Sequence, residues 1–361
     1  MIGTLGIGGS QMFVMNLYRE IDKTQVQFDF IVDHPQATHF IPEIESMGGK
    51  VYELPLFNGK NLLKVRKAWD QFFSSHPEYK VLHSHVRSYA SIYIPIAKAH
   101  GVKTIIHSHA TSNGKGIAAL MKGVLQFPLR FQADYYMACS YAAGKWLFGK
   151  RICKTNRFLI IKNAINTRDF IFSEQRRMNT RKELGISNQF VLGFLARVSE
   201  AKNPLFVIDV MKWLLDMDDN SLLLFVGDGT MLSSVKKKAV ELGIDKNVIF
   251  TGARSDVSNM LAAMDCYILP SFWEGLGISL IEAQAAGLQC ICSDAIQDEA
   301  ILTKNVERCA LDMGAEFWAK RICEMKSNRI RLDCSQYIKD SGFDIVENAN
   351  FMQNFYLDFY K

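Results

Sequence analysis

Twice along this chain, short apolar runs alternate with helix-length segments, and that alternation limits the fold more than any other feature. In the first half the runs are Phe28 to Val32, Val51 to Leu54, Val81-Leu82, Thr104 to Ile106, Tyr135 to Ala138 and Phe158 to Ile161. A polar interruption, Lys162 to Asn166, and a charged stretch, Ser173 to Glu183, then intervene. The pattern restarts with Val191 to Leu195, Leu222 to Val226, Val248 to Phe250, Cys266 to Leu269 and Gln289 to Cys292. Strands joined through helices pair in parallel, so the expected class is α/β with two Rossmann-like parallel-sheet domains. Their expected extents are 1–165 and 166–342, with Ser173 to Glu183 as the linker. The last helix, Ile345 to Tyr360, is rich in aromatics and is expected to pack back toward the first domain. A chain of 361 residues is long enough for both.

The net charge of +5 hides an asymmetry. Residues 1–165 hold 20 basic and 10 acidic side chains, a net +10, against 22 and 27 in the remainder, a net −5. Within the basic half, Lys115, Lys122, Arg130, Lys145, Lys150, Arg151, Lys154 and Arg157 lie close in sequence. They suit an anionic membrane surface or plain solubility. Nucleic acid is disfavoured, because no aromatic-interleaved basic motif accompanies them. The eight cysteines include no C-x-x-C pair, which argues against a zinc or redox motif and for a reducing compartment. No signal peptide and no apolar run of about 20 residues is present. The expected location is the cytoplasm, with the inner face of the cytoplasmic membrane as a peripheral contact.

In parallel sheets, ligands bind outside the carboxyl ends of strands. The polar and glycine residues collect there. In the first half these are the Gly6 to Ser10 turn, His83, His85, His107, His109 and Ser140. A metal site from the four histidines is conceivable, but no carboxylate stands nearby in sequence, and no metal is expected. In the second half they are Arg197, Lys202, Gly227, Gly229, Arg254 and Glu274. The richest stretch is Pro270 to Gly287, PSFWEGLGISLIEAQAAG. It reads as a strand end, a glycine turn and a helix closed by Gly287, which aims free N–H groups and a positive helix end at an anion. The helix is apolar nearly all round except Glu282, so that carboxylate is expected to face something polar. Cations with a helix N-terminus suit a diphosphate, and a carboxylate suits vicinal hydroxyls. Two such domains facing across a cleft would hold a nucleotide diphosphate carrying a sugar.

These residues resemble the retaining nucleotide-sugar glycosyltransferases of family 4, with the GT-B fold, over nearly the whole chain. The most specific piece is an E-x7-E motif, Glu274 to Glu282. Arg197 and Lys202 match an Arg-x4-Lys element, and Phe225 to Gly229, Phe250 to Val257 and Ile161 to Asn166 match as well. Gly8-Gly9-Ser10-Gln11 is similar to a GGxE loop, and His109 falls where the family places a histidine. Closer in, the chain looks like the transferases of capsule and exopolysaccharide assembly. The resemblance implies that Glu282 binds the ribose and Glu274 the transferred sugar. It implies that Arg197 and Lys202 neutralise the leaving diphosphate, and that Gly229, Gly275, Leu276, Gly277 and Ile278 approach sugar and phosphate. Arg254 would lie near the base, Gly9 near the diphosphate, and His109 near the sugar or acceptor. The implied donor is a UDP- or GDP-sugar used as substrate, with no cofactor, and the implied acceptor is a glycan or lipid-linked glycan. Two departures stand out. Only Met1 to Leu5 precedes the glycine loop, where relatives carry a full strand, so the loop is expected to be weakened. Gln11 replaces the usual Glu. Other readings are a sugar-nucleotide epimerase of the same fold and a non-catalytic partner in polysaccharide assembly.

Overall fold

The computed structural model describes residues 1–6, 8–34, 38–114, 116–326 and 331–360. The chain forms two compact units, Met1–Ile165 with Gly342–Lys361, and Asn166–Ser341. Ile7 of the expected glycine turn and Lys115 of the basic cluster lie outside the described residues.

The first unit contains a parallel pair, β1 (Phe30–Val32) and β2 (Val51–Glu53), and a four-stranded parallel sheet, β3 (Val81–Ser84), β4 (Lys103–Ser108), β5 (Tyr135–Ala138) and β6 (Phe158–Ile160). Residues 1–3 lie between them and bond to both. Ile2 N–H donates to Ile31 C=O at 3.0 Å and His85 N–H to Met1 C=O at 2.9 Å. The short start therefore still occupies the middle of the unit. Beside it lies a cavity of about 440 Å³, lined among others by Met1, Phe28, Phe72, His83, His85 and Tyr356. Trp69 stacks on Tyr93 at 4.2 Å in the core on one side of the sheet. On the other, the Gly9–Glu20 helix packs with the Ile345–Tyr360 helix, which buries Ile345, Ala349, Met352 and Tyr356. A parallel bridge from Ile165 to Asp344 ties the returning chain to the end of the first passage.

The second unit is one six-stranded parallel sheet in the order β12-β11-β10-β7-β8-β9. Its strands are β7 (Phe190–Leu195), β8 (Ser221–Val226), β9 (Val248–Gly252), β10 (Cys266–Leu269), β11 (Gln289–Ser293) and β12 (Val306–Cys309). The central four are buried on nearly every residue, which is why they read as unbroken apolar runs rather than alternating ones. The winding reverses between β7 and β10, and a doubly wound sheet opens a crevice at that point.

The stretch expected to be a linker, Ser173 to Glu183, is instead a helix of the second unit, Glu174–Glu183. Ser173 caps it through the Arg176 N–H. Arg177 and Arg181, one turn apart, clamp the two carboxylate oxygens of Asp265, each at 2.6 Å. Arg177 also donates to Met264 C=O and Arg181 to Ala263 C=O, both at 2.9 Å. The charge that suggested a solvated linker is spent on the open end of the preceding helix and on one buried carboxylate.

Candidate active site

In the second unit the predicted residues gather where the winding reverses. Arg197 follows β7 and is exposed. Lys202 ends a 3-10 turn, Glu200–Lys202, and Asn203 after it holds a left-handed conformation at φ 50° before Pro204 opens a helix. The loop after β8 presses on the same segment. A Cβ on Gly227 would stand 1.9 Å from Ala196 C=O, and one on Gly229 2.3 Å from Val198 C=O. Both glycines are thus required by approach of backbone to backbone. Val198 N–H donates to Asp228 C=O at 2.9 Å, and Gly227 N–H to Gly252 C=O at 2.9 Å, so the ends of β7, β8 and β9 are tied together.

After β10, Gly277 takes a left-handed conformation at φ 78° and opens the Ile278–Ala285 helix. Tyr267, fully buried, donates from its hydroxyl to Leu195 C=O at 3.1 Å and contacts Ser279 Oγ at 2.8 Å. That fixes the helix N-terminus against the end of β7. The Ile278 and Ser279 N–H groups that begin it precede the first intrahelical bond, Leu280 N–H to Gly277 C=O, and carry the positive end of the helix dipole. Gly275 and Leu276 complete the turn, Leu276 buried. At the other end Gly287, at φ 68°, closes the helix as the sequence predicts, with Leu288 N–H bonded to Ala283 C=O.

The two glutamates differ. Glu274 accepts from Ser271 Oγ at 3.2 Å and forms an ion pair with Lys202. Two residues expected to meet different parts of a donor therefore neutralise each other. The Glu282 carboxyl has no hydrogen-bond partner among the described residues, though the residue is half-buried. Burial pushes its carboxyl up to about 8. The polar environment expected around it is not supplied by this unit. Arg254 is placed at the end of β9, but Asp256 holds it in a bidentate pair at 2.7 and 2.8 Å, with Glu183 at 3.1 Å. Its guanidinium pKa is raised, first by the Asp256 hydrogen bonds.

In the first unit Gly9 is exposed in the first turn of the Gly9–Glu20 helix, and Gln11 Oε1 accepts from Ser10 Oγ at 3.0 Å. Phe13 of that helix lies 5.6 Å from the His107 ring and 5.8 Å from the His109 ring, which places the glycine turn over the strand ends. His109 Nδ1 meets Asn163 Oδ1 at 2.8 Å and its Nε2 meets His85 Nδ1 at 2.8 Å. Burial pushes His109 down to about 4, so it is a neutral ring at pH 7. Two groups escaped the sequence reading. Arg87, just after His85, has Nη1 buried without a partner and acts electrostatically on His109. Phe272 and Trp273 stack at 6.1 Å immediately before Glu274, with Trp273 52% exposed. An aromatic pair inside the glycine turn was the signal for the second. Arg87 had none beyond following a strand end.

Two parallel-sheet α/β units in one chain, the second doubly wound with Arg197 and a helix N-terminus at its reversal, have the architecture of the GT-B class of folds. Solved structures agree. The Anabaena protein Alr3699/HepE, solved with UDP and glucose, is similar at a TM-score of 0.79 and 17% identity, over 98% of this chain and 97% of that one. WaaG, a glycosyltransferase involved in lipopolysaccharide biosynthesis, is similar at a TM-score of 0.69 and 17% identity, over 98% and 94%.

Residues 7–169 match Glycosyltransferase Family 4, and residues 176–340 match Glycosyl transferases group 1. By both domains the chain belongs to the glycosyltransferases. It is 27% identical to the putative glycosyltransferase EpsF of Bacillus subtilis (strain 168), over 97% of this chain and 93% of that protein. It is 24% identical to the UDP-Gal:alpha-D-GlcNAc-diphosphoundecaprenol alpha-1,3-galactosyltransferase of Escherichia coli, over 78% and 76%.

Proposed function

We propose that this protein transfers a sugar, with retention of anomeric configuration, from a UDP- or GDP-sugar to a growing lipid-linked glycan in bacterial polysaccharide assembly. The observation that carries the reading is Glu282, a half-buried carboxyl with no protein partner among the described residues, in the helix that opens at Gly277. A carboxyl left bare at that depth is costly unless a ligand pairs with it. Ribose hydroxyls meet that need. Arg197 and the N-terminus of the Ile278–Ala285 helix receive the diphosphate, with Gly229 allowing its approach. Lys202 exchanges Glu274 for phosphate oxygens as the donor enters, which frees Glu274 for the sugar. Arg254, steadied by Asp256 and Glu183, flanks the base. Of the first unit's residues, Gly9 is assigned to the diphosphate and His109 to the sugar or acceptor.

Charge builds on the diphosphate as the glycosidic bond breaks, and preorganised cations and dipoles stabilise it there. Arg197 and Lys202 perform that task without a metal. The Escherichia coli relative, whose name specifies UDP-Gal and a diphosphoundecaprenol-linked acceptor, supports this donor and acceptor class. A membrane-bound acceptor also fits the Ile117–Gln126 helix, where Leu120 is 70% exposed beside Met121 and Val124, and Lys122 shares the segment. Apolar groups with nearby basic charge suit an anionic bilayer surface.

Calorimetry with UDP-glucose and GDP-mannose tests the donor site. The wild type binds one of the two bases selectively, and Glu282→Ala loses that binding. Unchanged binding by the variant removes Glu282 from its role.

A further inference from the structure

Three histidines of the first unit converge on one point. Parallel pairing sets His83 of β3 opposite Ile105 of β4, so the strand period of two brings His107 beside His85 on the same face. One ring nitrogen from each of His83, His85 and His107 lies within 4.8 Å of the other two. These nitrogens are short of partners. His83 Nε2 is buried without a hydrogen bond, and the His107 ring has no side-chain partner among the described residues, the Ile161 backbone being the one hydrogen-bonding group that acts on it.

The surrounding hydrogen bonds set the tautomers. Asn163 Oδ1 only accepts, so His109 donates from Nδ1 and its neutral ring accepts at Nε2. His85 must then donate from Nδ1, at 2.8 Å, which leaves a bare lone pair on its Nε2. His83 Nδ1 is held by the Tyr356 hydroxyl at 2.6 Å. Imidazoles anchored through one nitrogen and bare at the other are the form in which histidine ligates a metal.

We propose that His83, His85 and His107 bind a transition-metal dication of the zinc class, with His109–Asn163 and Tyr356 as outer supports. A tetrahedral ion with metal–nitrogen bonds of ~2.0–2.1 Å needs nitrogens about 3.3 Å apart. Closure from 4.8 Å takes side-chain rotation, because the His83 ring lies within 21° of His85 and 14° of His107. His83 and His85 also line the 440 Å³ cavity, which gives an entry path and an open fourth position. No carboxylate joins the set among the described residues, so the ion keeps its charge and favours an anionic fourth ligand. The site ties β3, β4 and the C-terminal helix together. It takes no part in the transfer proposed above and does not rest on it.

The test is metal uptake by the whole protein. Chelator-stripped protein is titrated with Co²⁺ and with Zn²⁺, reading the visible spectrum of tetrahedral Co²⁺ and the metal content after desalting. One ion per chain is expected, with a zinc-dependent rise in Tm. His107→Ala and His83→Ala weaken uptake by about 100-fold or more, and His109→Ala by about 10–100-fold. His76→Ala leaves it unchanged. The wild-type titration decides even where a variant fails to fold. No stoichiometric uptake by the wild type overturns the proposal and leaves a buried water as the partner of these nitrogens. So does uptake that persists in folded His107→Ala, which would place the ion on cysteines instead.

Discussion

At the scale of single residues, Glu282 bears on stability as well as on the proposed donor site. Its carboxyl is raised from 4.5 to about 8 by burial. The native state therefore holds a proton that the unfolded state has released between those values. The carboxyl's contribution to stability is full below pH 4.5, falls as pH rises through that window, and levels off above about 8. Glu282→Gln removes this slope. Thermal melts of the ligand-free protein should show the variant more stable than wild type at pH 9 and nearly equal at pH 5. Equal melting at both would mean that the carboxyl is better solvated than its burial implies. The same substitution should weaken donor binding, so stability and binding move in opposite directions, the pattern of a residue kept for function.

At the scale of elements, two segments read as solvated are engaged or available. The Glu174–Glu183 helix holds Asp265 between Arg177 and Arg181. Arg181→Ala leaves a nearly buried carboxylate with Arg177 as its one cationic partner beside the Val191 N–H, and the expected loss is about 3–5 kcal/mol. Denaturant unfolding followed in the second unit measures it, and Arg181→Lys should recover only part, since lysine lacks the forked geometry. The Ile117–Gln126 helix exposes Leu120, Met121 and Val124, and Phe131 nearby is 74% exposed. Leu120→Ser with Phe131→Ser should abolish flotation with anionic vesicles while leaving Tm unchanged. Flotation equal to wild type would assign that face to another partner. No helix among the described residues is long and apolar enough to cross a membrane.

At the scale of the whole molecule, the chain's two ends are joined in one unit. Residues 342–361 return to the unit begun by residue 1, and Met352 is fully buried in its core. Met352→Ala should therefore cost about 2–5 kcal/mol. Hydrogen exchange should show lost protection in the Gly9–Glu20 helix, more than 300 residues away in sequence, and none in β7 or β8. Loss in the second unit would contradict the division.

The sequence by itself determined the α/β class, most strands, and the strand ends at which the second unit's candidate residues gather. Buried parallel strands are continuous apolar runs, and the close approaches at Gly227 and Gly229 admit only glycine. A motif confined to one strand–turn–helix, as at 270–287, keeps its meaning in isolation. What only the tertiary structure decided depends on partners distant in the chain. Burial leaves Glu282 bare, and Lys202 finds Glu274 72 positions on. Asp265 turns an apparent linker into a helix of the second unit. Sheet register, which no single segment specifies, brings two H-S-H triplets together into one cluster of neutral rings.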